Sequence, residues 1–344
     1  MRTLAAAVLL LTTGCATGLL DVTERIEALM RPYQGDVPGA SLLVIRDGQT
    51  VVARSWGLSD VEARVSATPA TNYRLASVTK QFTAASILLL AEDGKLTIDD
   101  PLRRWLSSLP AAADAVTIRH LLTHTSGLVD YEDVVSPDTS VPLRDADVLR
   151  LLESQNTTYF VPGSSYRYSN SGYALLALIV ERASGQTFAS FLRDRIFAPL
   201  GMSNTVAFEQ GLSSVANRAY GYTEVDGKWT RTDQSMTSAV LGDGGIYSSI
   251  EDLAKWDAAL YDDELLSAVS RKLAFTPHTP TNVKDVAYGF GWRITGDTFW
   301  HSGETIGFRN VIVRNTRRRL TVVVLTNRNE PPPYALAKEI AKLF

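Results

Sequence analysis

The feature that most constrains this chain is where its β-type runs fall. Residues 39–45 and 50–56 are two such runs joined by Asp47-Gly48, a dipeptide suited to a tight hairpin turn. Four more, at 288–295, 298–301, 307–314 and 320–326, stand at the far end of the chain, the last two joined by a turn at Arg317-Arg318-Arg319. Helical spacing fills the middle, at 77–92 with Gly94 as its stop, then at 117–123, 146–153, 171–184 and 189–198. Helical spacing also marks 19–33, through Leu20, Ile26, Leu29 and Met30, and a closing helix follows Pro333. Ser248 and Ser249 ahead of Glu251 and Asp252 start another, to about Tyr261, with acids placed where the helix dipole favours them.

Strands at both ends, with helices between, close most economically into a single antiparallel sheet built from both ends of the chain. The expected fold class is therefore α+β: an antiparallel β-sheet flanked by terminal helices, with a mostly helical lobe inserted. The sheet-bearing part takes about 19–76 and 240–344, and the helical lobe about 77–239. A cleft between sheet and lobe is the natural place for a site. The 344 residues, 45% hydrophobic and 21% charged, suit one large domain or two lobes sharing a core. A formal charge of −3 without an extended basic block gives no reason to expect nucleic acid as a partner.

The first residues read as an export signal. Arg2 supplies positive charge, and residues 4–11 form an apolar core too short to span a bilayer. Leu11-Thr12-Thr13-Gly14-Cys15 resembles a bacterial lipoprotein signal, with Thr12 standing where a leucine is usual. The resemblance implies a signal over 1–14, lipidation of Cys15, and an exported, periplasmic protein held to the membrane by that lipid. An ordinary cut near Ala16 or Gly18 is the other reading. Cys15 is the only cysteine, so no disulfide forms within the chain.

Three short segments carry chemistry. In Ser77-Val78-Thr79-Lys80, at a helix start, the i, i+3 spacing lets Lys80 reach the Ser77 hydroxyl, and a serine needs such a neighbour to act as a nucleophile. Backbone N–H groups at a helix start can also meet an oxyanion. Read singly, the pair is also an N-cap followed by a surface lysine, but Lys80 lies among Val78, Phe82 and Ile87, and a buried lysine needs a reason. Tyr168-Ser169-Asn170 follows the turn Pro162-Gly163; Tyr168 can shuttle a proton, and Asn170 offers a donor and an acceptor to Lys80 or to a substrate amide. The plainer reading is a loop tyrosine beside a helix cap. His301-Ser302-Gly303 ends a strand, where a glycine lets a substrate backbone approach; the plainer reading is a core histidine before a turn.

Taken together, Ser-x-x-Lys, Tyr-x-Asn and His-x-Gly, in that order, resemble the active-site triplet of the serine β-lactamase and penicillin-binding-protein superfamily, class C relatives in particular. Residues 74–83, 117–128, 242–248 and 288–292 look like family blocks as well, so the resemblance covers nearly the whole mature chain, 15–344. It implies Ser77 as nucleophile, Lys80 and Tyr168 as proton-transfer partners, and an oxyanion hole from the backbone N–H groups of Ser77 and Glu304. Asn170, His301, Ser302, Gly303 and Glu304 would contact substrate. The separate deacylating glutamate of class A enzymes has no evident counterpart, and the third-motif lysine of many relatives is here His301. A cleft-facing histidine with an ordinary pKa near ~6.5 would hold a substrate carboxylate weakly, and less so as pH rises, unless Arg309 supplies the charge.

The implied activity is hydrolysis of an ester or a D-amino-acid peptide or amide through an acyl-enzyme. The alternatives are a β-lactamase or D-alanyl-D-alanine carboxypeptidase, and a non-catalytic envelope protein that binds peptidoglycan fragments or β-lactams. Expected partners are a small-molecule or peptide substrate and the cell wall. No cofactor or metal is expected. His120 and His124 lack the glutamate of a His-Glu-x-x-His helix, Gly242-Asp243-Gly244-Gly245 follows no βαβ unit, and there is no Gly-x-Ser-x-Gly nucleophile elbow.

Overall fold

The computed structural model describes residues 14–344, with side chains from Val22 onward. Residues 1–13 of the expected leader and the Cys15 side chain lie outside the described residues. The sheet has eight antiparallel strands in the order Thr279–Pro280, Ala287–Tyr288, Arg293–Thr295, Thr298–Thr305, Phe308–Asn315, Leu320–Thr326, Ala40–Arg46, Gln49–Trp56. The two ends of the chain meet where Ala40–Arg46 pairs with Leu320–Thr326, Leu42 opposite Val324 and Val44 opposite Val322. Asp47 and Gly48 turn the first hairpin with φ of 52° and 77°, the left-handed pair that such a turn requires.

Alternation along the strands decides what covers each face. Leu42, Val44, Val311, Val313, Val322 and Val324 pack with Ile26 and Met30 of the helix Gly14–Met30 and with Ala337 and Ile340 of the helix Tyr334–Ala341. Leu43, Ile45, Ile312, Val323 and Leu325 face the other way, into the core that holds Phe82, Leu88 and Trp256. That core continues into the second lobe, around the helices Lys80–Glu92 and Asn170–Ser184. Ser169 caps the latter through Gly172 N–H, and Gly185 closes it at φ 74°.

The α+β architecture expected from the sequence is the one observed, with three local differences. The run at 288–295 is two short strands, broken at Gly291, whose φ is +77°. A Cβ there would stand 2.7 Å from the Lys80 carbonyl oxygen, so the break lets this loop close onto the start of the helix Lys80–Glu92. The strand begun at Thr298 runs on to Thr305, which puts His301 and Gly303 inside it rather than at its end. The middle of the chain also contains strands, at Val206–Ala207, Tyr222–Val225 and Lys228–Arg231, each too short to show alternation.

Candidate active site

The strand Tyr73–Arg74 pairs with Ile246–Ser248 and delivers the chain to Leu75, whose N–H bonds the Ile246 carbonyl at 2.8 Å. Ala76 then takes φ 49°, a left-handed conformation unusual for alanine, and a 3-10 turn runs over Ala76–Thr79. The α-helix proper begins at Lys80, so Ser77 stands in the turn before it rather than as its first residue. Among the described residues, Ser77 N–H makes no backbone bond outside its own turn. The buried Asn310 ties this segment to the sheet, its amide nitrogen donating to the Arg74 carbonyl at 2.7 Å and its oxygen accepting from Thr326 N–H at 3.1 Å.

Lys80 is fully buried, and Nζ has three acceptors: Ser77 Oγ at 3.0 Å, Asn170 Oδ1 at 2.8 Å and the Asp243 carbonyl at 2.9 Å. Three acceptors match the three protons of an ammonium. Behind them stands a scaffold that the sequence motifs did not reveal. The turn Leu241–Gly244 presents the Asp243 carbonyl, and the buried Asp145 carboxyl accepts its Leu241 and Gly242 N–H groups at 2.9 and 3.0 Å. Tyr131 donates to the Asp243 carboxyl at 2.9 Å. Burial pushes both Asp145 and Asp243 up to about 7. A cavity of about 50 Å³ opens over Ser77, lined also by Glu132, Asn170, Asp243, Glu304 and Thr305.

The opposite wall is aromatic. The Tyr168 ring centroid lies 4.9 Å from Lys80 Nζ, and its hydroxyl, shielded from solvent, has no hydrogen-bond partner among the described residues. Tyr168 packs on His124 at 4.3 Å, and His124 in turn on Tyr173 and Tyr288. His124 Nδ1 accepts from Ser169 N–H at 3.1 Å; Nε2 is as unpartnered as the Tyr166 and Tyr168 hydroxyls. His120, the other histidine of that pair, helps cap its own helix by accepting from Thr117 N–H at 3.2 Å. Among the described residues no group of three His, Cys, Asp or Glu could hold a metal ion.

The third motif departs from the expectation of a cleft-facing, titrating histidine. His301 is buried, with Nδ1 2.7 Å from the Ser302 carbonyl and Nε2 2.9 Å from the Tyr288 hydroxyl. A carbonyl only accepts, so Nδ1 carries the proton and Nε2 accepts from Tyr288. Burial drives its pKa well below the usual value, and the charges of Arg293 and Lys80 add to this. Gly303 is needed for contact, since a Cβ there would stand 2.0 Å from the Leu75 carbonyl oxygen. Glu304 reaches the Ser77 cavity, whereas Ser302 is not part of its lining. Arg309 is committed to the adjoining hairpin, donating to the Thr305 and Phe308 carbonyls at 2.7 and 2.9 Å.

The structure thus gathers Ser77, Lys80, Asn170 and Glu304 at one cavity, sets Tyr168 beside Lys80, and places His301 behind Tyr168, 6.1 Å between rings. Three comparisons bear on this arrangement. The β-lactamase family model matches residues 22–343. Penicillin-binding protein 4* of Bacillus subtilis is 33% identical over 86% of this chain and 70% of its own length. The chain spans about two thirds of the length of the curated relatives it matches. A penicillin-binding protein homologue from Pyrococcus abyssi superposes with a TM-score of 0.82 at 28% identity, over 95% of this chain and 77% of that one. The D-amino acid amidase of Ochrobactrum anthropi shares the fold, with a TM-score of 0.80 at 24% identity over 94% and 96% of the two chains.

Proposed function

Because this chain belongs to the β-lactamase family, whose members are serine hydrolases, we propose that it hydrolyses a carboxylic ester or a D-amino-acid peptide or amide through an acyl-enzyme on Ser77. The observation that carries this reading is the 3.0 Å contact between Lys80 Nζ and Ser77 Oγ.

As an amine, Lys80 accepts the Ser77 proton while Oγ bonds to the substrate carbonyl carbon. The resulting ammonium is then held among Ser77 Oγ, Asn170 Oδ1 and the Asp243 carbonyl, so it forms where its acceptors already stand. The backbone N–H groups of Ser77 and Glu304 hold the oxyanion. Tyr168 relays a proton to the leaving group, and with Lys80 it activates the water that releases the acyl group. A neutral His301 and a committed Arg309 give the third motif no charge for a substrate carboxylate, which favours esters and amides over substrates that depend on one. The relatives' penicillin-binding names support a second reading, in which β-lactams acylate Ser77.

The test is labelling by a fluorophosphonate probe, followed by a panel of p-nitrophenyl esters, D-amino-acid p-nitroanilides and nitrocefin, on wild type and Ser77→Ala. Labelling and turnover should both vanish in Ser77→Ala while the melting temperature holds. Wild-type turnover by Ser77→Ala would overturn the reading, and a folded wild type that takes no label would favour a binding protein.

A further inference from the structure

We propose that the side-chain carboxyl of Asp243 governs the charge of Lys80: ionised, it holds Lys80 as an ammonium, and protonated, it leaves Lys80 free to be the amine that takes the Ser77 proton. Asp243 acts on Ser77 only through Lys80 and is therefore a positioning residue. The inference rests on Ser77 as nucleophile and Lys80 as its base, as proposed above, and adds the group that decides the pH at which they work.

A buried ammonium needs a counter-charge as well as hydrogen bonds. The acceptors around Lys80 Nζ are a hydroxyl, an amide oxygen and a backbone carbonyl, all of them neutral. The carbonyl belongs to Asp243, so the same residue brings a carboxyl into the neighbourhood of Nζ. Asp243 is buried in the turn Leu241–Gly244, which packs closely. A Cβ at Gly242 would run into the Tyr173 carbonyl oxygen, and Thr83, one turn beyond Lys80 on its helix, donates to the Gly242 carbonyl at 2.7 Å. The glycine-rich segment 242–245 thus presses an acidic side chain in beside the lysine.

The ionisable groups that face the Asp243 carboxyl are Lys80, Asp145 from the helix Asp145–Glu153, and Tyr131 and Glu132 from the 3-10 turn Tyr131–Asp133. Tyr131 donates to it at 2.9 Å. Asp145 is taken up by the Leu241 and Gly242 N–H groups, and Glu132 meets the side chain of Asn170. Arg74 is engaged elsewhere, donating to the Gly244 and Ser238 carbonyls and to the Gln234 side chain. Lys80 is the cation left to face Asp243. Burial pushes the carboxyl up and the Lys80 charge pulls it back, leaving it at about 7. Such coupling is reciprocal: as far as the ammonium favours the carboxylate, the carboxylate favours the ammonium. With one proton between them, the pair is either ammonium and carboxylate or amine and carboxylic acid, and only the second lets Lys80 accept from Ser77.

Two measurements on the full chain test this. The rate of fluorophosphonate labelling, followed from about pH 5 to 9, reads attack by Ser77 without the later hydrolysis. The Lys80 Cε signal in protein labelled with carbon-13 lysine, assigned by its loss in Lys80→Ala, reads the charge of the lysine itself. Asp243→Asn keeps an oxygen for the Tyr131 hydroxyl and removes the charge. In it both midpoints should move to lower pH by about one unit or more, so that labelling at a pH on the acid limb speeds about tenfold. Tyr131→Phe leaves Asp243 in place and takes away the donor that favours its carboxylate, and should move both midpoints the same way by less. The proposal is overturned if neither midpoint moves in Asp243→Asn, if they move to higher pH, or if labelling changes by one factor at every pH, the mark of a merely structural role. An unlabelled wild type whose Lys80 signal still responds to Asp243→Asn would remove Ser77 as nucleophile and leave the coupling of Asp243 to Lys80 standing.

Discussion

The two walls of the Ser77 cleft are built on different terms. On the Lys80 wall every donor is answered: Nζ has its three acceptors, and the carbonyl of Asp243 is held in turn by Asp145 through the Leu241–Gly244 turn. On the aromatic wall the Tyr166 and Tyr168 hydroxyls and His124 Nε2 have no partner among the described residues, although all three atoms are shielded from solvent. A buried polar atom without a partner costs stability, so such atoms persist where something else fixes their place. Ring packing does so here, with His124 against Tyr168, Tyr173 and Tyr288. One wall is complete before substrate arrives, and the other keeps hydrogen-bonding capacity in reserve.

Lys80→Ala should produce the larger break between the walls. It removes the group proposed to take the Ser77 proton and leaves Asn170 Oδ1 and the Asp243 carbonyl without their donor. The rate on the best substrate should fall by at least ~100-fold, the usual scale for a positioned acid–base group. A fall of less than about tenfold would mean that this wall is scaffold rather than machinery.

Tyr168→Phe should act more weakly on rate and hardly at all on stability. The ring that packs on His124 is kept, and the hydroxyl lost has no hydrogen-bond partner among the described residues. Acylation and deacylation should both slow, by about 10- to 100-fold, with a melting temperature equal to or slightly above that of wild type. A large drop in melting temperature with unaltered activity per folded molecule would place Tyr168 with the core and erase the contrast.

The sequence disclosed these two walls unequally. Lys80 and Ser77 are three residues apart, so helical geometry alone brings them together. Asn170 became legible through the order of the three motifs. Asp145, which supports the Asp243 carbonyl by holding Gly242 N–H, 97 residues further along the chain, carries no local signal beyond a polar residue at a helix start. Glu132 reads as one acid among several in a polar loop, and only the folding of residues 130–133 against Asn170 gives it a neighbour. The same limit applies to the fold. Long apolar β-type runs announced the central strands, while the two-residue strands at Tyr73–Arg74 and Val206–Ala207 are too short to form a run. His301 was legible as a motif position but not in its protonation state, which burial sets first and the charges of Arg293 and Lys80 reinforce, nor in its tautomer, which its bonds to Tyr288 and Ser302 fix.

That protonation state gives the smallest expected effect. From about pH 5.5 to 8.5, a range that brackets an ordinary histidine, the wild-type preference for a carboxylate-bearing over a neutral substrate should stay flat, because His301 is neutral throughout. A preference that fell as pH rose through about 6.5 would mean a histidine charged and facing the cleft, contrary to its bonds with Ser302 and Tyr288. Stability, by contrast, should respond to the same group. In the unfolded chain His301 and His124 titrate near ~6.5, and in the fold both lie well below. The unfolded state therefore takes up protons first as pH falls, and this contribution to stability is complete above ~6.5 and lost below it. Asp145 and Asp243, raised to about 7, work the other way: they keep their protons in the fold, and their contribution is complete below the unfolded value of 3.8 and lost as pH rises through 7. Melting temperatures of wild type and Asp145→Asn across pH 4 to 8 separate the two. The variant should lose part of the decline between about pH 4 and 7 and keep the acid-side loss. If Asp145→Asn leaves the profile unchanged, the Asp145 carboxyl is ionised in the fold, and the Lys80 wall holds one more charge than its hydrogen bonds suggest.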